Sequence, residues 1–376
     1  MTDGGRGGTT APSNPPSVTR RPASPHGISM QDIELYHGDF EDVAELTRRV
    51  WLPEYGGKTW VALPDGAFFR WQGSQNGARC VAAYDGTKLI GSTFSFPYSL
   101  RIGSSVLPSA LISGFTVDPD HRRVALPLLQ RLRRHHEDQG IGFSLGVVLS
   151  DPTSISCRFW TKYAETFPQN FRFLFPIGYW VKVLAPGRMA RAGVKAWERT
   201  ASRALGSILR LTPHRYDPDV RPYRAGDLEQ CAQILDKASA AIDWALVWSP
   251  EHLKNQLESS LSGTFVFERH GRVRGMVNYH TLLLQGRESV RTALIDLWAD
   301  DGLTGAERIR LLSHLLTDLR ERDVHLVMAL RCAMMPISAF AGNLFLPTPA
   351  QFQVGAFFTG GPVSLPLPKT WSLVMM

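Results

Sequence analysis

The stretch from Gly114 to Gly140 constrains this chain more than any other. Phe115 and Val117 close an apolar, strand-like run that begins near Ala110, and Pro119 ends it. Arg122 and Arg123 then lead into Ala125, Leu128, Leu129 and Leu132, whose i, i+3, i+4, i+7 spacing predicts an amphipathic helix. A strand thus feeds a helix N-terminus through a short basic turn. Free N–H groups and the helix dipole make such an end receptive to phosphate. Two guanidinium groups add charge and paired donors.

These residues resemble the acyl-CoA-binding motif of the GCN5-related N-acetyltransferase (GNAT) superfamily. There, a strand ending Val-x-Pro is followed by Arg-x-x-Gly-x-Gly/Ala and a helix. Val117-Asp118-Pro119 and Arg122 match. Ala125 stands at the first glycine position and Pro127 at the second small position, where it removes one N–H. The resemblance implies a donor site formed by Phe115, Val117, Arg122, Arg123, Val124, Ala125, Leu126 and Leu128, with acetyl-CoA or another acyl-CoA as co-substrate. The family often places an aromatic-Tyr pair on the next helix, where the Tyr protonates the leaving thiolate. Here the pair reads Phe159-Trp160, so Tyr163, three residues on, is the candidate catalytic acid.

A length of 376 residues fits two domains, and 44% hydrophobic content supplies ordinary cores. The net charge of +7 favours acidic partners without choosing among phosphates, nucleic acid and anionic lipid. Cys80, Cys157, Cys231 and Cys332 are scattered and show no metal-ligand spacing, so no metal is expected and a reducing, cytoplasmic setting is. No apolar run approaches the ~18 residues of a transmembrane helix, and the N-terminus lacks a secretory apolar region.

Residues 1–28, rich in Gly, Pro, Ser and Thr, are expected to be a disordered tail. A strand at Ile33–Tyr36 leads to Asp39 as N-cap and a helix with Phe40, Val43, Leu46 and Val50 on one face. Glu54 and Tyr55 follow in a loop that lines the acceptor pocket in the family. A further helical stretch is expected over part of 60–72. Cys80–Tyr84, Asp85-Gly86 and Lys88–Phe96 read as a hairpin. Strands at 106–117 and 141–149, a helix capped by Asp151 or Ser154, and strands at Phe171–Phe175 and Tyr179–Leu184 complete a first unit of about 31–185. Its element order is that of the GNAT fold. His135 and His136 read as surface residues late in the central helix.

Residues 186–217 read as a basic amphipathic linker helix. Arg188, Arg191, Lys195, Arg199 and Arg203 recur at helical spacing, with Arg210 and Arg215 beyond. Its face is either solvated or a site at 188–210 for an acidic carrier protein, RNA or an anionic membrane.

The pattern then repeats over 218–376. Gly226-Asp227 echoes Gly38-Asp39, Gly271 echoes Gly86, Leu297-Trp298 echoes Phe115-Thr116, and Leu311-Leu312 echoes Leu128-Leu129, at offsets of roughly 182 to 188. Trp371-Ser372-Leu373 falls where a closing strand belongs. The second copy carries Asp300, Asp301 and Glu307 where a phosphate loop needs cations, so it is expected not to bind CoA. Residues 333–368 read as either a cleft lining or core loops. The expected fold is α/β (α+β), with two GNAT-like lobes, each a mixed central sheet flanked by helices.

The expected chemistry is attack of an amine on a thioester held between the strands ending at Val117 and beginning at Ile141. Glu54, Asp85, His121 and Asp151 are conceivable bases, and no spacing selects among them. The acceptor is a small-molecule or protein amine. Two alternatives remain: a GNAT-fold transferase fed by acyl carrier protein or aminoacyl-tRNA, and a non-catalytic binding protein of the same fold.

Overall fold

The computed structural model describes residues 33–75, 77–209, 216–361 and 365–374. The tail at 1–28, Arg210 and Arg215 lie outside these residues. The first half runs β1 (Ile33–Leu35), α1 (Phe40–Tyr55), β2 (Val61–Ala62), α2 (Gly66–Gly73), β3 (Arg79–Asp85), β4 (Lys88–Ile102), β5 (Ser105–Val117), α3 (Ala125–Asp138), β6 (Phe143–Leu149), α4 (Ile155–Thr166), β7 (Phe171–Ile177) and β8 (Tyr179–Val183). Two short helices, α5 (Pro186–Ala192) and α6 (Ala196–Leu209), follow. The second half runs β9 (Val220–Pro222), α7 (Leu228–Ser239), β10 (Trp244–Val247), α8 (Pro250–Glu258), β11 (Ser262–Arg269), β12 (Arg272–Gln285), β13 (Ser289–Asp300), α9 (Gly305–Glu321), β14 (Leu326–Leu330), α10 (Ile337–Gly342), β15 (Leu346–Pro347), β16 (Phe352–Phe358) and β17 (Trp371–Ser372).

Local chemistry sets many of the boundaries. Asp39 caps α1 by accepting the Glu41 N–H, and Ser154 caps α4 by accepting the Cys157 N–H. Gly86 turns the β3–β4 hairpin at φ +62°, a region that favours glycine. The helix expected over part of 60–72 is α2, which follows the short β2 and starts at Gly66 because Asp65 caps it. The linker is two helices rather than one. The chain breaks at Gly193, whose N–H closes α5 on the Met189 carbonyl. Met189, Ala190 and Ala192 are its buried face.

Two mixed sheets form the two lobes. Their main paths are β1-β3-β4-β5-β6-β16-β7 and β9-β11-β12-β13-β14-β8-β15. The second path repeats the first element for element, with one exchange. β8, expected as the last strand of the first unit, pairs with β14 and β15 in the second sheet. β16, from within 333–368, inserts between β6 and β7 in the first. A sequence boundary at 185 therefore divides the chain, not the sheets. The lobes are tied again where β2 pairs with the end of β12 and β10 with the end of β4. β17, expected to close the second unit, runs parallel to β10 on the first sheet instead. Strand-edge hydrogen bonds are satisfied as well by the other half of the chain as by the near one, so adjacency in sequence does not decide them. One apolar cluster runs through both lobes, from Val43, Phe94 and Leu145 to Trp244, Met276 and Leu297.

Candidate active site

β5 follows β4 antiparallel to its end, with a bulge at Thr93 and Gly114. Its parallel pairing with β6 is short. Ser109–Ile112 match Phe143–Gly146, and beyond that the two strands part. The far edge of β6 stays paired with β16 up to Leu149, so the gap lies between β5 and β6 alone. Gly114 sits at the closed end of the gap with φ +63°, where a Cβ would lie 3.2 Å from Phe94 Cδ2. Gly146 of β6, opposite Ile112, is the last paired residue before the gap. The main chain of Phe115 and Val117 lines the gap, and the Phe115 ring lies against Phe159 and Trp160 at 5.6 and 5.1 Å.

The turn after β5 is organised by a residue the sequence reading passed over. Asp118 is buried, accepts the Asp120 N–H at 3.1 Å, and pairs with Arg49 of α1 at 3.3 Å and Lys88 at 3.2 Å. His121 reaches it at 3.5 Å and reaches Asp85 of the hairpin at 3.2 Å. Burial pushes the Asp118 carboxyl up. The Asp120 N–H, Lys88 and His121 outweigh that and hold it below the usual carboxylate range. An ionised Asp118 thus spends the nearby cations of α1 and β4 on the turn itself.

Arg122 and Arg123 remain. Both are exposed, and among the described residues neither forms an ion pair. The 3-10 turn Pro119–Val124, capped by Asp118, runs straight into α3, where the Ala125 N–H bonds the Arg122 carbonyl and Val124 offers no side-chain cap. Val124 and Leu128 turn their side chains into a core with Ile33, Val81, Ala83 and Ile90, and Ala125 is buried beside them. These three can meet a ligand through backbone only. Leu126 points outward at 40% exposure.

On the other rim, Glu54 accepts the Ile155 N–H at 3.1 Å, and Tyr55 hydrogen-bonds Ser156. The end of α1 therefore meets the start of α4. Asp151 accepts from Thr153, and Lys195, in the break between α5 and α6, is near enough to help lower its pKa. Tyr163 lies elsewhere on α4. Its ring packs among Phe159, Phe167 and Phe171, and its hydroxyl meets Asn170, which Arg133 also contacts at 3.2 Å. Arg133 is eight residues, about 12 Å of helix, from the start of α3. The structure does not bring Tyr163 together with Arg122 and Arg123.

His135 and His136 are not surface residues. Both are buried, and His136 Nε2 meets Ser95 Oγ at 2.7 Å. They occupy the sheet-facing side of α3, because Leu128 and Leu132 set that side and His135 and His136 continue it one turn on.

The second lobe has the same gap in its backbone. Thr292–Ile295 pair with Leu326–Ala329, each 183 positions after its counterpart, and the strands then part. Its chemistry is closed. Asp300 holds Arg308 at 2.8 and 2.9 Å and the Trp298 indole N–H at 3.0 Å. Thr304 and Glu307 form a capping box at the start of α9, and Arg269 pairs with Glu307. The helix end that would take a phosphate already holds a carboxylate.

A second polar group missed by the sequence reading lies between the lobes. His280 Nδ1 meets Asp296 Oδ2 at 2.5 Å, Gln256 supports Asp296 at 3.1 Å, and Phe68 and Trp71 of α2 cover the imidazole at 5.7 and 5.4 Å. Burial pushes the Asp296 carboxyl up. No motif spacing marks either residue; only the folded sheet joins them. Among the described residues no group of three or more His, Cys, Asp or Glu side chains could hold a metal ion, and no helix is long and apolar enough to cross a membrane.

Residues 33–155 match the family model described as an acetyltransferase (GNAT) domain. No curated protein matches in sequence. Among solved structures, Saccharomyces cerevisiae N-myristoyltransferase with bound myristoyl-CoA superposes with a TM-score of 0.70 at 12% identity, covering 89% of this chain and 85% of that one. The same enzyme with myristoyl-CoA and inhibitors gives 0.68 at 12% identity, with coverage of 94% and 89%. These likenesses establish the fold across both lobes. Residues 33–155 are thus similar to an acetyltransferase (GNAT) domain, and the chain shares the two-lobed fold of those solved structures.

Proposed function

We propose that the first lobe binds acyl-CoA, acetyl-CoA by default, and passes the acyl group to an amine of a small molecule or protein. One conjunction carries this reading: the uncapped start of α3, the unpaired Arg122 and Arg123, and the β5–β6 gap all open at one end of the sheet. A pyrophosphate would lie at the helix end. The pantetheine arm would run along the open edge of β5, as an added strand does. The strands re-pair at Ile112 and Gly146, which stops the arm and sets the thioester beside Gly114. The amine nitrogen attacks the carbonyl carbon, the C–S bond breaks, and the nitrogen loses a proton. Alignment and main-chain donors supply the acceleration. The thiolate, with an ordinary pKa of about 8–9, takes its proton from solvent, so Tyr163 is not required as the acid. That N-myristoyltransferase holds myristoyl-CoA on this fold supports a CoA thioester as donor. The reading places the protein in the cytoplasm, where such thioesters are available.

Titrating the protein with CoA and acetyl-CoA tests this. Micromolar binding is expected, weakened at least tenfold by Arg122→Glu with Arg123→Glu. Absence of binding at millimolar ligand by a folded sample would overturn it.

A second reading is favoured by a specific surface. Arg188, Lys195, Trp197 and Arg203 are exposed on α5, the break and α6, with Trp197 at 64%. An acidic carrier protein or RNA bound there would deliver the acyl group in place of free CoA. Binding of the carrier that falls steeply with salt, beside weak CoA binding, would favour it.

A further inference from the structure

The closed end of the gap bears on the length of the acyl chain, given the donor reading above. On one face, a Cβ at Gly114 would lie 3.2 Å from the Phe94 ring and 3.7 Å from Phe69. Phe69 and Phe94 stack at 5.2 Å with their planes 9° apart, and Phe94 and Phe96 follow at 6.0 Å and 5°. Phe40 of α1 closes on Phe94 at 5.9 Å. Phe69, Phe94 and Phe96 are all at most 2% exposed. On the other face, Phe115, Phe159 and Trp160 pack together at 4.8 to 5.6 Å. A carbonyl held at Gly114 therefore faces close-packed aromatic walls above and below the sheet, and interiors packed this way do not yield room for several methylenes without rearrangement.

We propose that this site takes a short acyl chain of a few carbons, and that Phe69 and Phe94 are the residues that set the limit. The shared fold carries no information on chain length, since the backbone path to Gly114 is the same whatever fills the space behind it. Phe69 is the adjustable member. It sits on the eight-residue α2, whereas Phe94 lies within the sheet beside the bulge itself.

The test is a titration of the full chain with CoA and with acetyl-, butyryl-, octanoyl- and myristoyl-CoA, repeated on Phe69→Ala and Phe69→Leu. The wild type is expected to bind acetyl- or butyryl-CoA at least tenfold more tightly than octanoyl- or myristoyl-CoA. Phe69→Ala is expected to recover octanoyl-CoA binding by at least tenfold, with Phe69→Leu between the two. The wild-type profile decides the matter even if Phe69→Ala fails to fold. Tightest binding of myristoyl-CoA by the wild type would overturn the proposal while leaving the donor reading intact. So would an unchanged profile in a folded Phe69→Ala. Failure of every ligand, CoA included, would remove the donor reading and this inference with it.

Discussion

At the scale of single residues, Asp118 and His136 show how burial assigns roles that side-chain type alone does not. Asp118 reads in sequence as one more polar residue in a turn. Folded, it gathers Arg49, Lys88 and His121 and leaves two arginines over. His136 reads as part of a charged helix end. Burial, then the charge of neighbouring His135, lowers its pKa to about 3. His136 is thus neutral in the folded chain, whereas the unfolded chain takes up a proton below about pH 6.5. Its depressed value makes its contribution complete above pH 6.5 and lost as the pH falls from there towards 3. Stability measured by denaturant unfolding is expected to fall by about 1.4 kcal/mol per pH unit for this one proton. His136→Leu is expected to reduce the slope between pH 6.5 and 5 by about that amount. An unchanged slope would refute the assignment.

At the scale of elements, α3 and α9 are the same helix in the two lobes with opposite ends. α9 starts with a Thr304–Glu307 capping box, braced by Arg269. α3 follows the 3-10 turn Pro119–Val124 with no side-chain cap at Val124, and carries Pro127, which has no N–H, in its first turn. Leu126→Glu would place a carboxylate in that first turn on an exposed position. It is expected to stabilise the protein by roughly 0.3–1 kcal/mol through the helix dipole and to weaken CoA binding about tenfold. Thermal melting and titration on one variant check both halves. Tighter or unchanged CoA binding would mean that α3's first turn is not the phosphate site.

At the scale of the molecule, the exchange of β8 and β16 makes each sheet depend on the other half of the chain. Without β16, β6 and β7 have no strand between them, and without β8 the same holds for β14 and β15. The exposed edges would invite aggregation. We expect the full chain to unfold in one calorimetric transition. Residues 31–185 expressed alone should be insoluble or unfolded, and co-expression with 218–376 should rescue them. Two independent transitions, or a stable folded 31–185 fragment, would contradict this.

Much of the first lobe was written locally. The Asp39 cap, the Gly86 hairpin, the Pro119 stop and the Leu128–Leu132 stripe act on near neighbours, so their patterns survive in the order of residues. The same holds for the repeat at a steady offset and for the acids that stand at the corresponding turn of the second lobe. What the order of residues did not record is which strand edge pairs with which, and what a buried side chain meets. β8 and β16 have the apolar character of any buried strand, and backbone hydrogen bonds carry no label of origin. The roles of Asp118, His136 and the His280–Asp296 pair came from groups 16 to 69 positions apart being forced together by this fold. Packing and desolvation act through space, and sequence spacing holds no trace of them.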